Sequence, residues 1–242
     1  MKMKKFINAP ENLTQELLEG LAAAYPQKVK LDEGKIVVRA KPKSEDKVAI
    51  ITLGGAGHEP ALSGFVGEGM LDASVVGDIF AAPNAVSLLA GLRKFKRDAG
   101  ILLVVLNHAG DVMSANMAMK MAQREGIKLK SILVADDISA GLDTPLADRR
   151  GLAGCIPLFK VAGAAAEEGK SLDEVFEIAE KFNSRIATLA VAMTGCTHPQ
   201  NGQPITELAD DEMEIGMGQH GEGGGGRSKI LTADETAKIM FG

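Results

Sequence analysis

The sequence predicts an α/β protein with a mainly parallel or mixed sheet flanked by helices. Residues 47–53 (KVAIITL) and 101–106 (ILLVVL) are near-continuous apolar runs, typical of strands buried on both faces. Stretches with helical spacing of apolar residues separate these runs from other short apolar runs. This alternation of strands and helices favours a layered α/β domain.

The predicted elements follow in order along the chain. Asn8 is the predicted cap of a first helix, in which four leucines between residues 13 and 21 repeat at helical spacing. Ser171 and Glu174 have capping-box spacing at the start of a later helix, 172–182. The other predicted helices are 84–95, 113–124 and 158–168, and the predicted strands are 35–38, 47–53, 73–76, 101–106, 131–135 and 186–193.

A division into two parts is predicted at residue 192. Residues 1–192 form the α/β domain, and residues 193–242 begin a short second lobe. The boundary is drawn there because glycine, proline and asparagine crowd the stretch 192–203. The second lobe contains a glycine run at 223–226 and a last helix from Ala233.

Composition excludes several classes of function. The formal charge of −5 argues against a nucleic-acid binder that works by electrostatic attraction. No apolar run approaches the length of a membrane span. With only two cysteines, Cys155 and Cys196, a disulfide framework is not expected, and a reducing cytoplasm is the predicted location.

The first candidate site, Leu53-Gly54-Gly55-Ala56-Gly57-His58-Glu59-Pro60, lies at the end of the predicted strand 47–53. In open α/β sheets, ligands bind beyond the carboxyl ends of strands, and glycines let the backbone approach a ligand. A tight turn without a ligand is the alternative. The pattern is neither a GxGxxG fingerprint nor a Walker loop, which disfavours a nucleotide-dependent α/β enzyme.

The second candidate site is Asn107–Asp111, which follows the strand 101–106. As parallel strands, 47–53 and 101–106 are predicted to end side by side at Leu53 and Leu106, which would place Gly54, His58 and Asp111 around one pocket. Asp111 precedes a helix, and spacing alone slightly favours a simple cap of a helix that starts at Val112. For His108, a surface turn is favoured over a role as a ligand.

The third candidate site surrounds His220, which lies in a glycine-rich segment; a mobile surface histidine is the alternative. No metal site is predicted, because Asp136-Asp137 and the pair Cys196 and His198 are incomplete ligand sets. The pair Arg149-Arg150 either meets an anion at a helix start or is a solvated charge pair.

Taken together, these segments resemble the substrate-binding subunits of dihydroxyacetone kinases, the DhaK family. The similar segments are ordered and cover nearly the whole chain: GGAGHEPALSGFVGEGMLDASVVGDIFAAP at 54–83, GDVMSANMA at 110–118, RRGLAGCIPLFKVAGAAAEEGKSLDEV at 149–175 and ELADDEMEIGMGQHGEGG at 207–224.

The resemblance implies a phosphotransferase that acts on a ketose hydroxyl, a dihydroxyacetone (glycerone) kinase of glycerol metabolism. The substrate carbonyl would be held on His220 as a covalent hemiaminal. Gly54 and Gly55 would meet substrate oxygens through their backbone groups, and His58 would hydrogen-bond the substrate and assist transfer. Asp111 would be the general base on the hydroxyl that receives the phosphoryl group.

The resemblance also implies partners. This subunit would bind no nucleotide, while ADP or ATP with Mg²⁺ would sit on a separate DhaL-type subunit. In the bacterial phosphotransferase version, a DhaM-type protein recharges bound ADP from phosphoenolpyruvate. The family suggests a homodimer. The substrate stays open among dihydroxyacetone, glyceraldehyde and erythrulose-like ketoses, as does the choice of ultimate donor.

The sequence departs from the family pattern in three places; the lost lysine and the short chain favour an alternative function, whereas Asp111 and His58 favour the kinase. Leu106 and His108 stand where a lysine and a tyrosine are frequent, and the glycine run 223–226 replaces a Gly-Glu-Pro-Gly-like stretch. The chain also stops at Gly242, so the second lobe is expected to be truncated or completed by a partner. The alternative is a non-catalytic relative that binds the ketone as a ligand-sensing co-activator.

Overall fold

A six-stranded mixed sheet forms the centre of the N-terminal part of the chain. The structure is a computed structural model that describes residues 5–241. The strands are β1 (Val29–Asp32), β2 (Ile36–Arg39), β3 (Ala49–Ala56), β4 (Ala73–Ile79), β5 (Ile101–Leu106) and β6 (Leu129–Val134). Their order in the sheet is β1-β2-β4-β3-β5-β6. The predicted α/β fold class is confirmed.

Parallel pairing brings two predicted strand ends together. Strands β4, β3, β5 and β6 run parallel, whereas β1 and β2 form an antiparallel extension at the β4 edge. Strands β3 and β5 are direct neighbours, with Ile51 opposite Leu103 and Thr52 opposite Val104. The predicted strands therefore lie side by side, although β3 ends at Ala56 and not at Leu53.

Helices cover both faces of this sheet. They are α1 (Leu13–Ala24), α2 (Ala85–Lys94), α3 (Ala109–Arg124), α4 (Cys155–Glu167) and α5 (Leu172–Asn183). Ile51 and Leu103 pack towards α2 and α3, whereas Ile50 and Leu102 pack in the core that contains α1, α4 and α5. Successive side chains of a strand point to opposite faces of the sheet, and here both faces are covered. Both apolar runs are therefore continuous.

One of the two predicted helix caps is present in the structure. Ser171 and Glu174 form the predicted capping box of α5. Asn8 does not cap α1, because a 3-10 turn at Pro10–Asn12 comes first and the Asn8 amide donates to Glu16 instead. Within residues 5–241, no helix has the length and hydropathy needed to cross a membrane.

A small second sheet follows in the chain. Its strands are β7 (Val191–Ala192), β8 (Glu212–Ile215) and β9 (Gly226–Lys229), and α6 (Ala233–Phe241) ends the described chain. The predicted strand 186–193 is mostly wrong. Only its last part forms β7, because Thr188 makes an isolated bridge with Asp137 instead of joining a sheet.

Candidate active site

A cavity of about 560 Å³ lies at the carboxyl ends of β3 and β5. The ladder between these strands ends at Thr52 and Val104, whereas β3 stays paired with β4 as far as Ala56. From Leu53 onwards, β3 is therefore no longer paired with β5. The cavity is lined by all five predicted site residues: Gly54, Gly55, His58, Asp111 and His220.

The two glycines belong to the strand. Strand β3 continues through Gly54 and Gly55 to Ala56, so the alternative of a tight turn at these residues is wrong. A side chain at Gly55 would place its Cβ 2.7 Å from the backbone nitrogen of Ala81. Glycine is therefore needed for the backbone to approach this closely and still border the cavity.

Asp111 lies inside the first turn of α3. That helix begins at Ala109, before the predicted start at Val112, so the interpretation of Asp111 as a helix cap is wrong. The side chain is only 8% exposed, and its Oδ1 has no hydrogen-bond partner within the described chain. Burial raises the pKa of Asp111 to about 7. An unpartnered carboxyl group with this pKa is suited to accept a proton near neutral pH.

His220 lies between a carboxylate and a second imidazole. Its Nδ1 is 2.9 Å from Oε1 of Glu222, and its Nε2 is 3.1 Å from Nε2 of His58. A carboxylate accepts a hydrogen bond, so Nδ1 of a neutral His220 carries the proton and Nε2 carries the lone pair. His58 then donates from its own Nε2 to that lone pair.

The charges of these groups follow from their surroundings. Burial, reinforced by His220 and then His108, lowers the pKa of His58 to about 4. Burial alone would raise the pKa of Glu222, but hydrogen bonds from its own backbone amide and from His220 lower it. Near pH 7, a neutral His58 and a carboxylate at Glu222 therefore flank His220.

Phe80 packs beside these rings and carries no signal in the sequence. Its ring centroid lies 5.2 Å from that of His58, 5.9 Å from that of His220 and 5.4 Å from that of His198. Phe80 has a φ of 57°, a left-handed conformation that is unusual for a bulky residue. The ring restricts the orientations open to His58 and His220.

His108 lines the cavity, so its interpretation as a surface turn residue is wrong. Its Nε2 lies 2.8 Å from the carbonyl oxygen of Gly151 and 3.1 Å from Nε2 of Gln219. Burial lowers the pKa of His108, despite the bond to Gly151. The cavity thus contains three imidazoles, of which His220 is the central one.

Arg150 connects the segment that carries His220 to the larger sheet. Its guanidinium donates to Asp137 Oδ2 at 2.6 Å and to Ser139 Oγ at 3.1 Å. It also donates to the carbonyl oxygens of Gly216 at 2.6 Å and Glu222 at 3.1 Å. Neither sequence interpretation, an anion site or a solvated charge pair, fits this largely buried link between the two parts.

Asp136 organises the backbone beside the cavity. Its carboxylate accepts hydrogen bonds from the amides of Leu152 at 2.6 Å and Gly154 at 2.8 Å, and from the hydroxyl of Thr188. With Asp137 engaged by Arg150, both carboxylates of this pair have structural partners.

The cavity also contains a cysteine and a cluster of potential metal ligands. Cys155 lines the cavity, but burial and then the nearby Asp136 raise the pKa of its thiol to about 12, so it is not a ready nucleophile. His108, His220 and Glu222 each offer one potential metal-ligand atom, and these three atoms lie within 4.8 Å of one another.

Comparison with known proteins identifies the family. The Dak1 domain matches residues 19–242. The chain belongs to the Dak1 domain family. It is 41% identical over 239 residues to the PTS-dependent dihydroxyacetone kinase 1, dihydroxyacetone-binding subunit DhaK, of Listeria innocua, covering 99% of this chain and 73% of that protein. The family predicted from the sequence motifs is confirmed.

Two solved structures have a fold similar to that of this chain. The dihydroxyacetone kinase from C. freundii in complex with AMP-PNP and Mg²⁺ matches with a TM-score of 0.89 at 34% identity, covering 98% of this chain and 44% of that one. The dihydroxyacetone kinase operon co-activator Dha-DhaQ matches with a TM-score of 0.85 at 35% identity, covering 92% and 68%. One neighbour is a kinase and the other a co-activator.

Proposed function

We propose that this chain is the substrate-binding subunit of a dihydroxyacetone kinase. It holds a short ketose as a hemiaminal on His220 and presents the substrate hydroxyl to a phosphoryl donor on another subunit. The observation that carries this proposal is the grouping of a lone-pair nitrogen on His220, a neutral donor on His58 and the unpartnered Asp111 in one cavity.

Capture of the ketone begins at Nε2 of His220. The lone pair attacks the carbonyl carbon, a C–N bond forms and the π electrons move to oxygen. His58 donates a hydrogen bond to that oxygen, and Glu222 balances the positive charge on the ring. Transfer of the Nδ1 proton to the oxygen through water completes a neutral hemiaminal. Glycerol has no carbonyl group and cannot be captured in this way.

Phosphoryl transfer depends on Asp111. Asp111 accepts the proton of the substrate hydroxyl as its oxygen attacks the donor phosphorus. The pKa of about 7 makes Asp111 a stronger base than an ordinary carboxylate, although still largely ionised at slightly alkaline pH. Gly54 and Gly55 contact substrate oxygens through their backbone groups.

The nucleotide is proposed to reside on a partner. No lysine or arginine is among the described residues that line the cavity, and a triphosphate needs such cations. The donor would be ATP, or ADP recharged from phosphoenolpyruvate, bound with Mg²⁺ to a DhaL-type subunit, with a DhaM-type protein in the second case. We further propose a cytoplasmic homodimer.

The isolated chain should therefore not bind ATP at micromolar concentrations. The sequence has no phosphate loop with a lysine. The described residues that line the cavity include two carboxylates, Asp111 and Glu222, which repel a triphosphate. Calorimetric titration with MgATP, with and without dihydroxyacetone, checks this expectation. Tight binding of ATP without any partner would contradict the division of labour.

Arg150 offers a test of how the site is assembled. Arg150→Met should lower the affinity for ketone about 10-fold or more, because the segment that carries His220 loses its hydrogen bonds to the guanidinium. The pH dependence of turnover at saturating ketone should stay unchanged, since Asp111 is untouched. Arg150→Lys should restore part of the affinity. A variant with normal ketone affinity would refute this positioning role.

A co-activator function is the second candidate, favoured by the structural match to Dha-DhaQ. Both functions predict a ketone adduct, so the adduct alone does not separate them. Intact-mass measurement with dihydroxyacetone, followed by a phosphorylation assay with a DhaL-type partner and nucleotide, does separate them. An adduct that is never phosphorylated would favour the co-activator; absence of an adduct would refute both.

A further inference from the structure

His108 has no part in the proposed ketone chemistry, although its ring packs against the ring of His220. The ring centroids of His108 and His220 are 5.4 Å apart, with an interplanar angle of 80°. The Glu222 carboxylate adjoins the same His220 ring. The cavity thus gathers a second imidazole and a carboxylate around the proposed nucleophile.

We propose that His108, His220 and Glu222 form a Zn²⁺ site that competes with the ketone for His220. The potential ligand atoms of the three residues lie within 4.8 Å of one another. With Zn–N distances of about 2.0–2.1 Å, two imidazoles on one tetrahedral ion hold their ring centroids about 5 Å apart. The observed 5.4 Å requires only a small closure of the rings.

The donor set selects the metal. Two imidazole nitrogens and one carboxylate oxygen form the His₂Glu set of open zinc sites, in which a fourth position stays available for water. Mg²⁺ prefers oxygen ligands in octahedral geometry, so the Mg²⁺ that accompanies a nucleotide should not occupy this site.

The surroundings of His108 support the same assignment. Its Nε2 lies 2.8 Å from the carbonyl oxygen of Gly151. A hydrogen bond from the second ring nitrogen to a backbone carbonyl is the usual support for a metal-binding imidazole. The sequence patterns did not predict this site, because its donors come from β5–α3 and from the segment after β8.

Zinc and the ketone compete because His220 has one available lone pair. A neutral imidazole has one nitrogen lone pair, and both the metal bond and the C–N bond of the hemiaminal require it. Zinc binding itself does not depend on the proposed function, whereas the competition rests on it.

Binding is tested by titrating the metal-free full chain with Zn²⁺ against a chromogenic chelator, in excess Mg²⁺ and without ketone. We expect one equivalent of zinc to bind. His108→Asn and Glu222→Gln should each weaken binding about 10-fold or more. His198→Asn is the matched control and should bind zinc normally, since it changes a histidine beside Phe80 but outside the donor set. Equal zinc affinity in the wild type and in either donor variant would overturn the site, and circular dichroism verifies that the variants are folded.

Competition is tested on the wild-type chain alone. Zinc should reduce the fraction of protein that carries a dihydroxyacetone adduct, and saturating ketone should raise the apparent Kd for zinc. An adduct fraction unchanged by bound zinc would refute the competition. If no adduct forms even without zinc, the proposed function fails, while the chelator titration still decides whether the metal site exists.

Discussion

Asp111→Asn should lower kcat by about 10²- to 10⁴-fold in the complete kinase and leave the dihydroxyacetone adduct intact. Asparagine has nearly the same shape but cannot accept the substrate proton. Because Asp111 lies inside the first turn of α3 and does not cap it, the helix start should not depend on the carboxylate. Steady-state kinetics together with intact-mass measurement of the adduct test both parts.

The pH dependence provides an internal check on this result. Burial raises the pKa of Asp111 to about 7, and the base works only when it is ionised. Turnover of the wild type should therefore fall as the pH drops through about 7, and Asp111→Asn should lose this dependence. Asp143→Asn, at an exposed loop position, is the control and should behave like the wild type. Near-normal turnover of Asp111→Asn would show that Asp111 is not the general base and would favour the co-activator hypothesis.

His220→Ala should abolish the covalent adduct and raise the apparent KM for the ketone. The nucleophilic nitrogen is lost, whereas Gly54, Gly55 and His58 still line the cavity and can hold some substrate. Residual turnover is therefore expected at high ketone concentration. Intact-mass measurement detects the adduct, and initial rates over a wide range of ketone give the KM.

The control for this variant is His198→Ala, which removes another histidine that packs against Phe80. It should retain the adduct. A full adduct in His220→Ala would show that another nucleophile holds the ketone and would refute the hemiaminal on His220.

The sequence predicted those site residues whose place follows directly from a strand end. Continuous apolar runs identified β3 and β5 as buried strands, and parallel strands present their carboxyl ends at one edge of the sheet. That rule alone placed Gly54 and Asp111 near one another. The short strand β1 escaped prediction because its four residues alternate apolar and polar groups too briefly to form a pattern.

The rest of the site depends on tertiary contacts that no local pattern encodes. His58 and His220 face one another across 162 residues of chain. The left-handed backbone of Phe80 has no residue-type signal, since bulky residues rarely adopt it. The role of Arg150 could not be predicted, because it depends on how the segment after β8 folds back onto the guanidinium. The glycine-rich segment marked His220 as a candidate, and the resemblance to the family supplied its role.

The small sheet contributes little to the hydrophobic core. Among residues 191–241, all of which are described, Met213 is the only hydrophobic residue that is fully buried. This segment is held instead by polar links such as those of Arg150, and regions with few buried apolar contacts open more readily than the core. Amide hydrogens of β8 should therefore exchange faster than those of β5. A ketone bonded to His220 and resting against β3 would act as a cross-link between the two sheets, so binding would slow exchange far beyond the atoms it touches.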